Sequence, residues 1–396
     1  MQSFHNFNFK GKKALVRVDF NVPLDKTTKS VTDVTRISAS LPTIKKILND
    51  GGAVILMSHL GRPDGVINPD FSLNHILGTL NQLIGQEVEF ATDCIGEDAL
   101  IKSQNLKEGK ILLLENLRFH KEEEEGDLKF AQKLSKLGDV YVNDAFGTAH
   151  RSHASTAVIA QFFGDKLFGI LMAAEVESLE KVLKSAEKPF TAIIGGSKVS
   201  DKVGVIANLL DKADNVLIGG AMAYTFKKAM GGQVGKSRIE ADKLDLAREI
   251  IQKAKDKGVN IYLPEDSIVA SEFKEDAAIQ TQQSDRIDDE QMGLDIGTKA
   301  IDAYNEVIMK SKTILWNGPM GVFEWTAFEN GTKQVALSVA NATQQNGAYS
   351  LIGGGDSVSA INKFNLQNQV SYISTGGGAM LEYLEGKVLP GVAAIL

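Results

Sequence analysis

Short apolar runs alternate with segments of helical periodicity along the whole chain, the pattern of βαβ units and a mainly parallel sheet. In the first half, Ala14 to Val16, Ala53 to Met57, Val88 to Phe90, Ile111 to Leu114 and Val140 to Val142 read as strands. Phe190 to Ile194, Val216 to Ile218, Thr313 to Trp316 and Tyr349 to Ile352 do so in the second half. Leu73 to Ile84, Ala223 to Ala229, Leu244 to Lys257 and Thr298 to Lys310 place apolar residues at helical spacing between them. A further helical stretch, Met172 to Ser185, precedes the Lys188-Pro189 break and marks the expected domain boundary. At 396 residues the chain exceeds what one core usually serves, so two domains are expected.

Several runs end in polar residues that a core would exclude. Arg17-Val18-Asp19-Phe20-Asn21 follows the first run, Ser58-His59-Leu60-Gly61-Arg62 the second, Asn116-Leu117-Arg118 the fourth, and Asn143-Asp144 leads into His150-Arg151-Ser152-His153. In an open α/β sheet the carboxyl ends of the strands face the ligand crevice, so these residues mark the mouth of a site.

Charge sharpens that picture. The formal net charge of -7 argues against a general nucleic-acid or acidic-membrane binder, so basic chemistry has to be local. Five of the eight arginines, Arg17, Arg36, Arg62, Arg118 and Arg151, fall within the first 151 residues, which points to an anion site there. Cys94 is the only cysteine and reads as an inert buried thiol in a reducing compartment. The segment Met1 to Lys10 lacks the apolar stretch of a signal peptide, and no run approaches the roughly 18 apolar residues of a membrane span. A cytoplasmic protein is expected.

The second half carries three Gly-rich turns between strand and helix: Gly195-Gly196, Gly353-Gly354-Gly355 and Gly376-Gly377-Gly378. Glycine lets backbone amides approach a phosphate, and a following helix directs free N–H groups at it. Lys198 and Lys202 are four apart, so on a helical turn both would face one phosphate chain; two solvated lysines beside Asp201 is the other reading. Gly231 to Ser237 ends in Gly-Lys-Ser, but the Walker spacing would need glycine at Met230. It reads as a helix C-cap and surface loop. Glu122 to Glu125 reads as four solvated carboxylates opening a helix, with no metal. His150 and His153, beside Arg151, read as structural or hinge-linked rather than catalytic.

RVDFNVP at 17–23, SHLGRP at 58–63, GGSKVSDK at 195–202, WNGPMGVFE at 316–324, GGGDS at 353–357 and STGGGA at 374–379 resemble, in order, the motifs of the phosphoglycerate kinase family. The resemblance covers essentially the whole chain. It implies an α/β fold of two doubly wound, mainly parallel αβα (Rossmann-like) domains joined by a helix, with a cleft between them. The acid-substrate domain would span 1–170, the connecting helix 171–185 and the nucleotide domain 186–384, and the tail 385–396 would return to the first domain. Asp19, Asn21, Arg36, His59, Arg62, Arg118 and Arg151 are implied to bind 3-phosphoglycerate or 1,3-bisphosphoglycerate. Lys202, Gly219, Gly220, Gly293, Asn317, Glu324, Gly354, Gly355, Asp356 and Ser357 are implied to bind ADP or ATP. Asp356 would hold magnesium, the one cofactor, and Arg36, Lys198, Gly376 and Gly377 would serve the transfer itself. A hinge-closing monomer with no nucleic-acid or membrane partner is implied.

Ser197, Ala221 and Asp64 depart from the family's usual pattern, at positions where small residues or loop charges tune affinity. A dehydrogenase on Rossmann-like domains is the rival enzyme, and it lacks a Gly-x-Gly-x-x-Gly turn with an acid about twenty positions on. A silent phosphometabolite-binding protein is the rival of another class; it could dispense with Lys198, Arg36 and Asp356, and all three are present.

Overall fold

The computed structural model describes residues 3–396, which divide into two compact units. The first runs to Glu177 and takes in Val388–Leu396, and the second spans Ser178–Lys387. Helix Ile170–Lys184 contains the division, which therefore falls inside the helix rather than at either of its ends.

The first unit is built on β1 (Lys13–Arg17), β2 (Ala53–Met57), β3 (Glu89–Phe90), β4 (Ile111–Leu113), β5 (Val140–Asn143) and β6 (Lys166–Phe168). They form one parallel sheet in the order β3-β4-β2-β1-β5-β6. Side chains alternate across it. Ala14 and Val16 join a core with Ile37, Val54 and Ile76 on one face, and Leu15 joins Ile55, Leu112 and Tyr141 on the other. Both faces are covered, so the inner strands are near-continuous apolar runs; all five residues of β2 are buried. The segment Val388–Leu396 completes this unit. Gly391 N–H donates to Ala149 O at 2.8 Å, Lys166 Nζ to Ala394 O at 2.8 Å, and Ile395 enters the Leu15 core.

Register puts the strand ends level. Arg17 pairs with Met57 and Asn143, and Leu56 with Leu113, so the loops after β1, β2, β4 and β5 leave the same edge side by side.

The second unit has β7 (Phe190–Ile194), β8 (Asn215–Ile218), β9 (Gln233–Val234), β10 (Asn260–Tyr262), β11 (Asp266–Ala270), β12 (Ile279–Gln283), β13 (Arg286–Ile287), β14 (Met292–Ile296), β15 (Thr313–Asn317), β16 (Tyr349–Ile352) and β17 (Tyr372–Ile373). Its main sheet is parallel in the order β10-β8-β7-β15-β16-β17. Here Ile194 pairs with Ile218 and Asn317, Trp316 with Ile352, and Ile352 with Ile373. Every Gly-rich turn of the sequence therefore leaves one edge of one sheet. An antiparallel sheet, β12-β11-β14, and the parallel pair β13-β9 stand beside it. Apolar runs did not reveal these strands, because β12, Ile-Gln-Thr-Gln-Gln, is mostly exposed.

Local polar groups close these elements. Asp266, at the start of β11, accepts Lys299 N–H at 3.2 Å and Ala300 N–H at 2.9 Å, capping helix Thr298–Met309 from outside it. Asp266→Ala leaves those amides unpaired and is expected to cost about 1–2 kcal/mol. Urea unfolding checks this; a change below about 0.3 kcal/mol would mean that water caps the helix equally well.

Candidate functional site

The loops at the edge of the first sheet are organised around a buried cation. Arg17 ends β1 fully buried; its Nε donates to Ser155 Oγ at 2.9 Å and its guanidinium also donates to Val18 O. Ser155 passes the charge on, donating Oγ–H to Glu123 at 2.6 Å and N–H at 2.9 Å. Glu123 is thus buried and paired, not solvated as the sequence suggested for Glu122 to Glu125; only Glu124 and Glu125 are exposed. Burial pushes its carboxyl up, and Arg17 and the Ser155 hydrogen bonds pull it back. A helix-opening run of glutamates gave no sign of this, because its partner, Arg17, lies 106 positions away.

Arg17 also orients His59, with Nη2 3.3 Å from His59 Nδ1. Guanidinium has no lone pair to accept with, so His59 Nδ1 is the acceptor and Nε2 carries the proton. Burial holds the His59 imidazole well below its usual range, reinforced by Arg17, Arg118 and Arg36. It is a neutral donor.

The remaining residues named on this side gather there. Asn21 accepts Gly61 N–H at 2.8 Å, and Arg36 Nη1 donates to both oxygens of Asp19 (3.2 and 3.1 Å) and to Asn21 O at 3.0 Å. Arg118 is buried and donates to Gly61 O at 3.1 Å, with Glu124 3.3 Å from its Nε. Arg62 and Arg151 are exposed, with no side-chain hydrogen bond or ion pair among the described residues. Arg17, Arg118 and Arg151 all press on His153, which with burial is pushed down to about 3. Such a gathering of cations raises the local affinity for an anion. Asn116, placed at the mouth of the site by the sequence but given no role there, donates its amide to Leu60 O (2.7 Å) and Phe71 O (2.8 Å) and so fixes the His59–Arg62 loop.

In the second unit, strand ends touch through bare backbone. A Cβ on Gly195 would lie 2.0 Å from Pro319 O, and one on Gly318 2.2 Å from Gly195 O; Gly220 meets Gly196 O at 2.4 Å. These contacts open a cavity of about 500 Å³ walled by Gly196, Gly220, Gly293, Met320, Glu324 and Asp356, among others. Gly293 has to be glycine because Tyr224 Oη would sit 1.9 Å from its Cβ. Gly219 does not wall the cavity but packs on Met320, which does.

A polar cluster lies behind the cavity wall, next to Gly196. Lys202 Nζ donates to Asn317 Oδ1, whose amide donates to Gly353 O at 2.8 Å. Burial lowers the Lys202 ammonium, and Asp201 and Asp356 oppose the shift. Gly354, at φ 90, turns the chain into helix Gly355–Lys363, which carries Asp356 exposed in its first turn. Ser357 is fully buried, with its Oγ accepting Gly318 N–H at 2.6 Å. It therefore holds the Gly318 turn, while its O–H remains a donor. Lys198 and Lys202 do not share a helix: the helix begins at Val203, and both precede it in a turn, with Lys198 exposed. Gly376 and Gly377 lie just before helix Gly378–Leu384, at the end of β17.

The segment after Met230 is also corrected. Gln233–Val234 is strand β9, and Lys236 and Arg238 line the cavity instead of lying in a plain surface loop. The Gly-Lys-Ser spacing, once rejected as a P-loop, left no signal for that placement.

Cys94 is buried and its thiol is pushed up by burial, as an inert thiol requires. Its neighbours Asp93 and His120 form a pair at 2.7 Å. Among the described residues, no helix is long and apolar enough to cross a membrane.

A parallel sheet whose strand ends make a glycine-walled cavity, reached by a helix N-terminus and adjoined by a lysine–asparagine pair, is built for a nucleotide. Coupled in one chain to an arginine-rich anion site, it defines the class as nucleotide-dependent phosphotransferases. The phosphoglycerate kinase family model matches residues 4–387. A phosphoglycerate kinase of Porphyromonas gingivalis is 54% identical over 418 aligned residues, covering 99% of each chain, and one of Dictyoglomus turgidum is 51% identical over 98% of this chain and 96% of its own. The solved structure of phosphoglycerate kinase from Coxiella burnetii superposes with a TM-score of 0.92 at 40% identity, covering 100% of this chain and 98% of that one. The chain belongs to the phosphoglycerate kinase family, phosphotransferases with a carboxyl group as acceptor.

The histidines generate a testable consequence. On unfolding, His153 returns from about 3 to its ordinary 6.5. The unfolded chain therefore binds a proton that the folded chain refuses, and stability falls as pH drops below about 6.5, by up to about 1.4 kcal/mol per unit for each such group. His153→Gln is expected to lose less stability than the parent between pH 7 and pH 5.5 in urea unfolding. Equal losses would show that His153 is protonated in the fold.

Proposed function

We propose that this chain transfers a phosphoryl group reversibly between 1,3-bisphosphoglycerate and ADP, giving 3-phosphoglycerate and ATP, in glycolysis and gluconeogenesis. The observation that carries the acid half is that Arg62 and Arg151, exposed in the loops that also carry His59 and His153, have no side-chain partner among the described residues. Arginine gives paired hydrogen bonds to phosphate and carboxylate.

In this reading Arg62, Arg118, Arg151 and His59, through Nε2–H, hold the substrate phosphate. Asp19 and Asn21 take the hydroxyl, and Arg36 faces the reacting carboxylate. Lys202, Asn317 and the Gly354–Gly355 turn hold the nucleotide phosphates, Glu324 takes the ribose, and Gly220 and Gly293 admit the flat base, with Gly219 behind. Asp356, a single exposed carboxylate, would hold magnesium, which would supply charge neutralisation at the nucleotide phosphates. The acceptor carboxylate attacks in line. Lys198, Arg36 and the amides at Gly376 and Gly377 stabilise the charge that spreads over the equatorial oxygens. Hinge closure brings the reacting atoms within about 3–3.5 Å and excludes water that would hydrolyse the acyl phosphate. The same reading makes the chain a cytoplasmic monomer acting on small metabolites, with neither nucleic acid nor membrane as partner.

A coupled assay with 3-phosphoglycerate, ATP and magnesium tests the activity, and Lys198→Met tests its chemistry. The substitution keeps much of the stem and removes the charge, so turnover is expected to fall about 100-fold or more while nucleotide affinity changes far less. Near-normal turnover would remove Lys198 from the transfer step.

A further inference from the structure

We propose that Arg238 stacks its guanidinium on the nucleobase and so biases the cavity toward purine nucleotides, an inference that rests on reading the cavity as the nucleotide site. Of the eight arginines, Arg17, Arg36, Arg118 and Arg248 have side-chain hydrogen bonds or ion pairs. Arg62, Arg151, Arg238 and Arg286 have none among the described residues, and of these only Arg238 lines the cavity. Its backbone is held firmly. Lys236 N–H donates to Gln291 O at 2.7 Å, and Ser237, buried, accepts Gly293 N–H at 2.9 Å through Oγ. Lys236, the neighbouring cation, is engaged by Glu290.

The Ser237–Gly293 bond anchors Arg238 beside the Gly293 wall. That wall is backed by Tyr224, and Met292, Leu294 and Phe273 also line the cavity. The polar cluster of Lys202 and Asn317, read above as the phosphate site, is built from other strand ends. An unpaired planar cation beside a glycine wall suits the face of a flat ring, where guanidinium combines dispersion with cation–π attraction. The larger purine surface gains more from it than a pyrimidine does.

Calorimetry of the full-length protein with MgADP, MgUDP and inorganic tripolyphosphate tests this, using Arg238→Gln and Arg238→Lys. Both substitutions are expected to weaken MgADP binding about three- to tenfold, MgUDP less than twofold, and tripolyphosphate not at all. Unchanged MgADP affinity in Arg238→Gln overturns the proposal. So does equal loss for all three probes, which would make Arg238 a phosphate contact, and so does parent-like MgADP binding by Arg238→Lys, which would make charge alone sufficient. A parent protein that binds none of the three overturns the nucleotide reading itself.

Discussion

The second unit depends on a contact between bare backbones. The ends of β7 and β15 meet at Gly195 and Gly318, and Gly220 rests on Gly196, at separations where a single Cβ would collide with a carbonyl. Gly318 also needs φ near +100, which other residues rarely adopt. Because nothing projects between these strand ends, the edge of the sheet holds a cavity, and the polar groups of Asn317, Lys202 and the Gly354 turn meet behind its Gly196 wall. Trp316 locks the turn from below, donating Nε1–H to Gly318 O at 2.7 Å from a fully buried ring, and Ser357 does so from the side. The core thus supports the turn while the turn supplies the ligand groups.

The first unit solves a different problem, the burial of a cation. An unpaired buried guanidinium would be prohibitive, so Arg17 needs Glu123, and the intervening Ser155 satisfies both. The network gives its charge no outlet to solvent but fixes His59, and the exposed Arg62 and Arg151 have no side-chain partner among the described residues. Affinity for an anion comes from those free cations, and orientation comes from the buried ones.

Much of this was legible in the sequence because buried parallel strands are apolar on both faces. Phe190–Ile194, Tyr349–Ile352 and helix Leu244–Lys257 have the bounds that their patterns predict. Most named residues of the first half lie at or beyond level strand ends, since polar residues closing an apolar run are a local signal; Arg36 is in the first turn of helix Thr35–Asn49. What failed was non-local. Glu123 looked solvated because its burial depends on Arg17 and Ser155. Lys198 and Lys202 looked helical by spacing, yet the Gly195–Gly196 turn delays the helix to Val203. Arg238 went unnoticed because two-residue β9, too short to have a period, sets its place.

The bare-backbone contact is tested most directly by Gly318→Ala, titrated calorimetrically with MgADP and, separately, with 3-phosphoglycerate. A methyl group there collides with Gly195 and strains the turn, so the account predicts at least about a tenfold loss of MgADP affinity with 3-phosphoglycerate affinity unchanged. Parent-like MgADP binding in a folded Gly318→Ala protein, or equal loss of both ligands, would contradict it.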